Sequence, residues 1–343
     1  MKKFFLNFQL RFIKNQKKFK ITRNLIDRYF RFNKLILKLN RVGLKPIFSD
    51  IDLVSGNISL KEIQKVITKK TKAIICVHLA GWPCNMSEIM DFAKKKSLFV
   101  IEDCAQAHGS VYENKKAGSL GHLAAWSFCN DKIISTAGEG GMITTNDQKF
   151  FNAIRSIRDH GKNIDKLNNN KKNEFKWLVE NNGSNYRMTE SQAAIGIIQL
   201  FKLDLWIKKR NENAKKLFDI FNKSKLFYTN ILNNDYFEKS INSQNNIHAY
   251  YKFYVYLKNN NLTSKKFKSY IVEVFNYFGI KCYYGSCPEI YMEKIFKNKK
   301  ILTRKINAKK LGRKSLMFDC HQNLNKKYFS NIAKAIKYIE SKI

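Results

Sequence analysis

The sequence predicts an α/β fold, because strand-like apolar segments alternate with segments of helical spacing over the first half of the chain. The apolar runs at 72–79 and 97–101 are typical of buried strands. Apolar residues recur at helical spacing at 60–67 and 85–96. Glycine or acidic residues bound the apolar runs, as expected for strands of a layered α/β domain.

The remaining elements of this region follow from the same patterns. Short strands are expected at 46–49, 124–129 and 141–145. A long helix is expected to start near Thr189, because Thr189 and Gln192 have the spacing of a capping box and precede an apolar face.

The character of the chain changes at about residue 215, which predicts a smaller α+β domain after the main one. A strand is expected at 253–257, and helices at 269–278 and 329–339. Asparagine-rich stretches at 168–173 and 259–261 are expected to be loops. We therefore divide the chain into an atypical basic segment (1–41), a large domain (42–214) and a small C-terminal domain (215–343).

The charge of the chain is strongly positive, with 64 Lys and Arg against 27 Asp and Glu and a formal net charge of +37. This balance excludes an acidic surface and suggests a polyanionic partner. However, no basic run is joined to a recognition helix, a stacking motif or zinc-ligand spacing. We interpret most of the charge as a compositional bias toward lysine and asparagine, and a basic nucleic-acid-binding protein is the weaker alternative.

The basic excess is concentrated in residues 1–41, which hold thirteen Lys and Arg and a single acid, Asp27. The same stretch contains no Gly, Ala, Ser or Pro, the residues that normally supply turns and caps. This segment is therefore unlike the rest of the chain.

The cysteines and the hydropathy pattern predict a cytoplasmic protein with neither a disulfide framework nor a metal site. No CxxC pair is present among the seven cysteines, namely Cys76, Cys84, Cys104, Cys129, Cys282, Cys287 and Cys320. Several of them, such as Cys76 and Cys129, lie in apolar runs and are expected to be buried thiols. No apolar stretch reaches the length of a membrane span, and the N-terminus is a poor match to a secretory signal.

The first candidate functional residue is Asp103, which is expected directly after the strand at 97–101. Ligands of open α/β sheets bind beyond the carboxyl ends of the strands, so a carboxylate there is well placed to meet one. The alternative is that Asp103 caps the start of a helix.

The second candidate is Lys132, which lies between an expected strand and the glycine-rich turn 137–142. A desolvated lysine with a flexible stem can act as a Schiff-base amine, and Ser127 could present its hydroxyl to a phosphate. The alternative is one more surface lysine. A third element, the polar turn 183–188, contains Asn185 and leads into the capped helix.

Taken together and in this order, the elements closely resemble the DegT/DnrJ/EryC1/StrS family of sugar aminotransferases. The resemblance is carried by 100–109 (VIEDCAQAHG), 118–121 (GSLG), and Ser127 and Phe128 with Lys132. Further matching stretches are 71–79, 138–142, 158–161, 185–190, 285–291 and 311–316. The resemblance covers roughly residue 42 to the end of the chain. It implies the aspartate aminotransferase-type fold, with a mixed, mostly parallel sheet flanked by helices and a smaller C-terminal α+β domain.

The resemblance also implies a cofactor, a reaction and residue roles. Lys132 would bind pyridoxal 5'-phosphate as a Schiff base and shuttle a proton, and Asp103 would pair with the pyridinium nitrogen. Gln106 would contact the ring near its phenolic oxygen, and Ser127 would bind the phosphate. Asn185 would reach the cofactor phosphate of a neighbouring subunit, so a homodimer is expected.

The implied reaction moves an amino group from glutamate or glutamine to a nucleotide-linked keto-deoxysugar. This reaction serves cell-surface polysaccharide or related sugar biosynthesis. His160 and Tyr186 are weaker candidates for substrate contacts, whereas His78 and His108 are expected to be structural. A dehydratase branch of the family has histidine in place of the lysine, so Lys132 favours amino transfer.

The chain departs from the family pattern at its start. Members usually have a Ser-Gly-Thr-Ala-type turn whose backbone N–H groups bind the cofactor phosphate, and residues 1–42 contain no such motif. We therefore expect an N-terminal truncation or replacement. The alternative function is a catalytically impaired remnant of the same family.

Overall fold

A computed structural model describes residues 24–27, 44–163, 165–166, 178–229, 245–285, 288–296 and 305–343. Apart from β1 (Asn24–Asp27), the segment 1–41 lies outside these ranges, as does the loop predicted at 168–173.

The first half of the described chain forms a mixed sheet. Its strands are β1, β2 (Lys45–Phe48), β3 (Thr71–Val77) and β4 (Phe99–Asp103), with β7 (Leu123–Ser127) and β8 (Gly141–Thr144) further along the chain. The strand order is β2-β1-β3-β4-β7-β8, and each pair is parallel except β7 with β8. A small hairpin, β5 (Val111–Tyr112) with β6 (Lys115–Lys116), lies between β4 and β7 in the chain.

Helices accompany this sheet: α1 (Leu60–Gln64), α2 (Met86–Lys95), α3 (Gln148–Arg158) and α4 (Glu190–Asn222). Helix α2 buries Met86, Ile89 and Ala93, whose spacing of three and four residues places them on one face. The capping box predicted from Thr189 and Gln192 is present at the start of α4.

The C-terminal part is an antiparallel sheet covered by helices. Strands β9 (Phe227–Tyr228), β10 (Phe253–Leu257), β11 (Cys282–Tyr284) and β12 (Ser315–Phe318) lie in the order β11-β12-β10-β9. The helices are α5 (Lys265–Tyr277), α6 (Ile306–Lys314) and α7 (Lys326–Glu340). Phe221 of α4, Phe275 of α5 and Phe318 of β12 meet in its core, with ring centroids 4.8–6.5 Å apart. Burial of such aromatic rings is the main stabilising contribution here.

The predicted α/β architecture with a mostly parallel sheet is confirmed, and the strand at 253–257 has the predicted bounds. Two local expectations were wrong. Asp103 is the last residue of β4 instead of following the strand, and 260–263 form a short 3₁₀ turn within a predicted loop. Helix α4 also continues through residue 214, where we drew a domain boundary, because its C-terminal half packs against the second sheet.

Strand β1 has no counterpart among the predicted elements. Its backbone pairs in parallel with β2 on one side and with β3 on the other, so part of the basic segment 1–41 lies inside the sheet. In the described part of the chain, no helix is both long enough and apolar enough to cross a membrane.

Candidate functional site

The candidate site lies at the carboxyl ends of β4 and β7, which are parallel neighbours. Asp103 ends β4 opposite Ala125 of β7, and the backbone N–H of Cys104 donates to the Ala125 carbonyl at 2.8 Å. Ser127 ends β7. Both side chains therefore leave the sheet at the edge where open α/β folds bind ligands.

Asp103 is buried, with 4% of its surface exposed. Its Oδ1 accepts a hydrogen bond from the Ala105 N–H at 3.0 Å, which stabilises a tight turn. No helix follows in residues 104–110, so the alternative that Asp103 caps a helix is wrong.

Gln106 is oriented by one short hydrogen bond. The backbone N–H of Ala80 donates to Gln106 Oε1 at 2.6 Å, so the side-chain amide has its oxygen on Ala80 and its Nε2 directed elsewhere. The amide group is therefore an oriented donor.

Lys132 lies in the loop after β7 and is mostly buried, with 14% of its side chain exposed, in contrast to a typical surface lysine. Its backbone N–H donates to the Cys129 carbonyl at 3.0 Å. Its Nζ lies 3.4 Å from the Asp131 carboxylate and 4.9 Å from the centroid of the Tyr251 ring. The amine is thus held between an anion and an aromatic face.

Asp131 is a charged group in this site. Although partial burial favours the neutral acid, hydrogen bonds from Cys129 and Tyr251 and the nearby Lys132 charge lower the pKa of Asp131 to about 2. The Cys129 thiol donates to Oδ1 at 2.6 Å, and the Tyr251 hydroxyl donates to Oδ2. The carboxylate therefore stays ionised and fixed beside Lys132.

A cavity of about 290 Å³ opens next to Lys132. Its lining combines the Lys132 loop with residues of α4, the segment before β10 and the segment after β12, namely Asp131, Lys132, Ile133, Arg210, Tyr251, Lys252, Asp319, Cys320, His321, Gln322 and Asn323. Lys252 and Asp319 form an ion pair. Burial lowers the pKa of His321, so this ring is neutral at pH 7.

Arg210 is the buried cation of this cavity, with 5% of its surface exposed. Its Nη1 donates to the backbone carbonyls of Tyr250 and Cys320 at 3.0 and 3.2 Å. Within the described ranges its Nε has no hydrogen-bond partner. The lining therefore contains three cations, Lys132, Arg210 and Lys252, against two carboxylates.

His108 lies behind the site as a neutral ring. It packs against Trp126 and Phe128, with ring centroids 5.3 and 5.7 Å away. Burial and then the positive charge of Lys132 lower the pKa of His108 to about 3. This packing agrees with the structural role expected for His108.

Glu102 and His78 form a fully buried pair on the other face of β4. Glu102 Oε1 accepts the N–H groups of Leu120 and Gly121 at 2.8 and 2.7 Å. Oε2 accepts the Gly118 N–H at 2.8 Å and lies 3.0 Å from His78 Nε2. The Cys84 N–H donates to His78 Nδ1, so the proton of the ring is on Nε2, toward Glu102.

Cys104 lies beside this pair, with its Sγ 4.0 Å from Glu102 Oε2. Burial, followed by the charge of Glu102, raises the pKa of the Cys104 thiol to about 12, so it stays protonated. His78, Glu102 and Cys104 have the residue types of a metal site. Because the Glu102 oxygens and His78 Nδ1 already accept hydrogen bonds, we interpret this cluster as structural.

Asn185, Tyr186 and His160 lie in a separate cluster beyond α3. The exposed Asn185 accepts the Arg187 N–H through Oδ1 at 3.2 Å, and its backbone pairs with Asp159. The N–H groups of His160 and Tyr186 donate to the carbonyls of Ser184 and Arg158.

The structure adds site residues that sequence reasoning missed. Asp131 is adjacent to Lys132 in the chain, but nothing in its type distinguishes it. Tyr251 and Arg210 lie about 120 and 80 positions away, and no motif links them to Lys132. Only the packing of the two sheets brings these groups together.

Comparison with known proteins identifies one family. The model of the DegT/DnrJ/EryC1/StrS aminotransferase family matches residues 30–337. The chain is 41% identical over 182 residues to a GDP-perosamine synthase of Escherichia coli O157:H7, covering 53% of this chain and 46% of the relative. It is 40% identical over 179 residues to a dTDP-3-amino-3,6-dideoxy-alpha-D-galactopyranose transaminase of Aneurinibacillus thermoaerophilus, covering 52% and 46%. These matches span about half the length of the curated relatives.

A solved structure extends the likeness to almost the whole chain. An aminotransferase from Psychrobacter cryohalolentis superimposes with a TM-score of 0.86 at 40% identity. The superposition covers 94% of this chain and 82% of that chain. The fold described above is therefore also the fold of that protein.

Replacing Glu102 by glutamine tests the buried pair. Glu102→Gln turns an acceptor oxygen into an N–H₂ group facing backbone N–H donors, so we expect the free energy of unfolding to fall by roughly 2–4 kcal/mol at neutral pH. Hydrogen bonds from His78 and the backbone overcome the effect of burial and lower the pKa of Glu102 below 4.5. Ionised Glu102 therefore stabilises the folded state above about pH 4.5. This stabilisation is lost as the pH falls through the pKa of Glu102 in the folded state, which is the lower of its two pKa values.

Urea denaturation across this pH range measures both effects. Glu113→Gln, at an exposed glutamate, is the matched control and should change the unfolding free energy by less than about 0.5 kcal/mol. A stability difference between Glu102→Gln and wild type that does not narrow in acid would contradict this account of Glu102.

Proposed function

Because the chain belongs to the DegT/DnrJ/EryC1/StrS aminotransferase family, we propose that it is a pyridoxal-phosphate-dependent sugar aminotransferase. It transfers an amino group from glutamate or glutamine to a nucleotide-linked keto-deoxysugar, in cell-surface polysaccharide or related sugar biosynthesis. The observation that carries this proposal is the mostly buried Lys132 in the family's own motif, in the lining of a cavity between the loop after β7 and the C-terminal part of the chain.

The polar groups at this edge fit pyridoxal phosphate. Asp103 is a buried carboxylate suited to a protonated ring nitrogen. Gln106 Nε2 is an amide donor whose orientation is set by the Ala80 N–H. Ser127 adds a hydroxyl at the end of β7. These residues would therefore give the protonated ring nitrogen a carboxylate, the phenolic oxygen a hydrogen-bond donor and the phosphate a hydroxyl.

Asp103, Gln106, Ser127 and Lys132 would each act on a different part of the bound cofactor. When bound, the cofactor supplies an electron sink for the electrons released at the carbon of the amino donor. Asp103 holds the proton on the ring nitrogen, and Gln106 donates to the phenolic oxygen. Ser127 orients the phosphate. Lys132 would hold the cofactor through Nζ and, as a free neutral amine, would accept and return the transferred proton at that atom.

The charge of the cavity supports a carboxylate-bearing amino donor. With His321 neutral, three cations face two carboxylates, so the lining has one excess positive charge. The cations Arg210 and Lys252 both lie on the side contributed by α4 and the segment before β10. A donor such as glutamate would supply the missing anion.

The names of the two curated relatives support a nucleotide-linked sugar as the acceptor. One is a GDP-sugar synthase and the other a dTDP-sugar transaminase. We extend this substrate class to the present chain, with His160 and Tyr186 as candidates for contacts to the sugar nucleotide. The positive charge outside residues 1–41 suits a diphosphate.

We propose a homodimer, because α4 presents an uncovered apolar face. Ile198, Phe201 and Leu205 are 55%, 82% and 60% exposed and recur at helical spacing on one side of the helix. A second copy of the chain would cover this face. The exposed Asn185 would then be free to reach the cofactor phosphate of the partner.

We also propose a cytoplasmic location. Six cysteines in the described ranges are free thiols, which fits a reducing compartment. Nucleotide-linked sugars are small charged metabolites, and their use fits the same compartment.

A second candidate function is that of an impaired member of the family. It is favoured by the absence of a Ser-Gly-Thr turn in residues 1–42. Such a protein would fold as described but bind the cofactor weakly, because residues 1–42 would not give its phosphate the backbone donors of that turn.

Cofactor absorption tests the proposal directly. Wild-type protein mixed with pyridoxal phosphate should develop the absorption band of the lysine-bound cofactor, and L-glutamate should bleach it. Lys132→Ala should show only free cofactor, because the attacking amine is gone. Lys115→Ala, at an exposed lysine of β6, should behave as wild type.

The same titration separates the two candidates. Saturation at micromolar cofactor supports the active enzyme, whereas a band that appears only at a large excess of cofactor supports the impaired member. Identical spectra for wild type and Lys132→Ala would reject both candidates for this chain.

Replacing Phe201 by aspartate tests the dimer. Phe201→Asp places a charge in the centre of the proposed interface, so we expect sedimentation to change from dimer to monomer. Tyr277→Asp, at a residue that is 85% exposed outside this face, should leave the dimer intact. A wild-type protein that sediments as a monomer at all concentrations would overturn the proposal.

A further inference from the structure

Two groups from distant parts of the chain surround the amine of Lys132. Asp131 precedes it in the loop after β7, and Tyr251 comes from the segment before β10. We propose that Asp131 and Tyr251 form a holding site for the Lys132 ammonium group in the protein without cofactor. The inference rests on the proposed function of Lys132 and assigns Asp131 and Tyr251 as positioning residues.

The carboxylate of Asp131 is held on both sides by hydrogen-bond donors. The Cys129 thiol lies 2.6 Å from Oδ1, the Tyr251 hydroxyl bonds to Oδ2, and Lys132 Nζ lies 3.4 Å from Oδ2. These hydrogen bonds orient the half-exposed carboxylate toward the amine. It therefore gives the ammonium group a fixed counter-charge.

The ring of Tyr251 provides the second wall of the holding site. Lys132 Nζ lies 4.9 Å from the ring centroid, within the range in which an ammonium group is attracted to an aromatic face. Tyr251 is 6% exposed, so little water weakens the attraction. The same ring bonds Asp131 through its hydroxyl, so the anion and the aromatic face are positioned together.

The position of Tyr251 is coupled to the position of Gln106. The Tyr251 N–H donates to the Ala80 carbonyl at 2.8 Å, and the Ala80 N–H donates to Gln106 Oε1 at 2.6 Å. One residue thus connects the ring that holds the lysine with the amide that would meet the cofactor. The groups that hold the Lys132 amine are therefore fixed relative to Gln106, which would contact the cofactor.

The holding site restricts a side chain that would otherwise explore many rotamers. In the protein without cofactor, the contacts with Asp131 and Tyr251 keep the Lys132 amine at the cavity, where the cofactor would meet it. Other charged or titratable groups from the elements around Lys132 are Cys129, His108, Arg210, Lys252, Asp319 and His321. Of these groups only Asp319 is an anion at neutral pH, and it is paired with Lys252.

Competitive acetylation of the full chain without cofactor tests the proposal. Acetic anhydride labels amines only in their neutral form, and peptide mass spectrometry reports Lys132 relative to the exposed Lys69 across a pH series. Asp131→Asn should raise the relative labelling of Lys132 near neutral pH several-fold and move its profile to lower pH, because the counter-charge of the ammonium group is lost. Asp131→Glu should restore most of the wild-type profile.

Tyrosine variants separate the ring from the hydroxyl. Tyr251→Leu should raise labelling several-fold, whereas Tyr251→Phe keeps the ring and should have a smaller effect. Tyr112→Phe removes a comparable hydroxyl, bonded to Asn85 at 2.7 Å, and is the matched control. Thermal unfolding of each variant confirms that it is folded.

The shape of the pH profile decides the outcome. If the holding site is lost, the curve of Lys132 labelling against pH moves along the pH axis. If the variant is only less rigid, Lys132 labelling rises by the same factor at every pH. Profiles for Asp131→Asn and Tyr251→Leu that do not shift would overturn the proposal. Because no cofactor is present, this result is independent of whether Lys132 binds pyridoxal phosphate.

Discussion

The candidate site depends on two hydrogen bonds made by the backbone of Ala80. Its N–H donates to Gln106 Oε1, and its carbonyl accepts the Tyr251 N–H. Ala80 therefore connects the carboxyl edge of the large sheet with the segment that precedes β10. Ala80 has a φ of +53°, and Gly81 follows with a φ of +94°. A Cβ on Gly81 would lie 2.7 Å from the Ala249 Cβ, so only glycine allows this close approach.

The last two residues of strand β4 separate the structural role of Glu102 from the chemical role that we propose for Asp103. Side chains alternate along a strand, so Glu102 and Asp103 point to opposite faces. Glu102 binds the N–H groups of the turn at 118–121 and thereby fixes the connection between β4 and β7. Asp103 and Ser127 then leave a rigid edge, which is what an active site needs to hold a cofactor in one orientation.

Sequence patterns predicted what depends on neighbouring residues, such as the alternating elements, the Thr189 capping box and the position of Lys132 after β7. They did not predict β1, whose segment lacks turn and cap residues, or the passage of α4 through residue 214. The Tyr251–Asp131 bond joins residues 120 positions apart, and Arg210 binds the carbonyl of Cys320 across 110 positions. Such contacts depend on how the two sheets pack, and no local pattern encodes them.

The central claim is that Lys132, among the many lysines of a chain with a net charge of +37, is the one that binds pyridoxal phosphate. The most direct measurement is reduction of the protein–cofactor mixture with borohydride, followed by peptide mapping of the modified lysine. The account predicts close to one pyridoxyl group per chain, located on Lys132 and removed by competing L-glutamate before reduction. Label spread over surface lysines, with Lys132 unmodified, would contradict it.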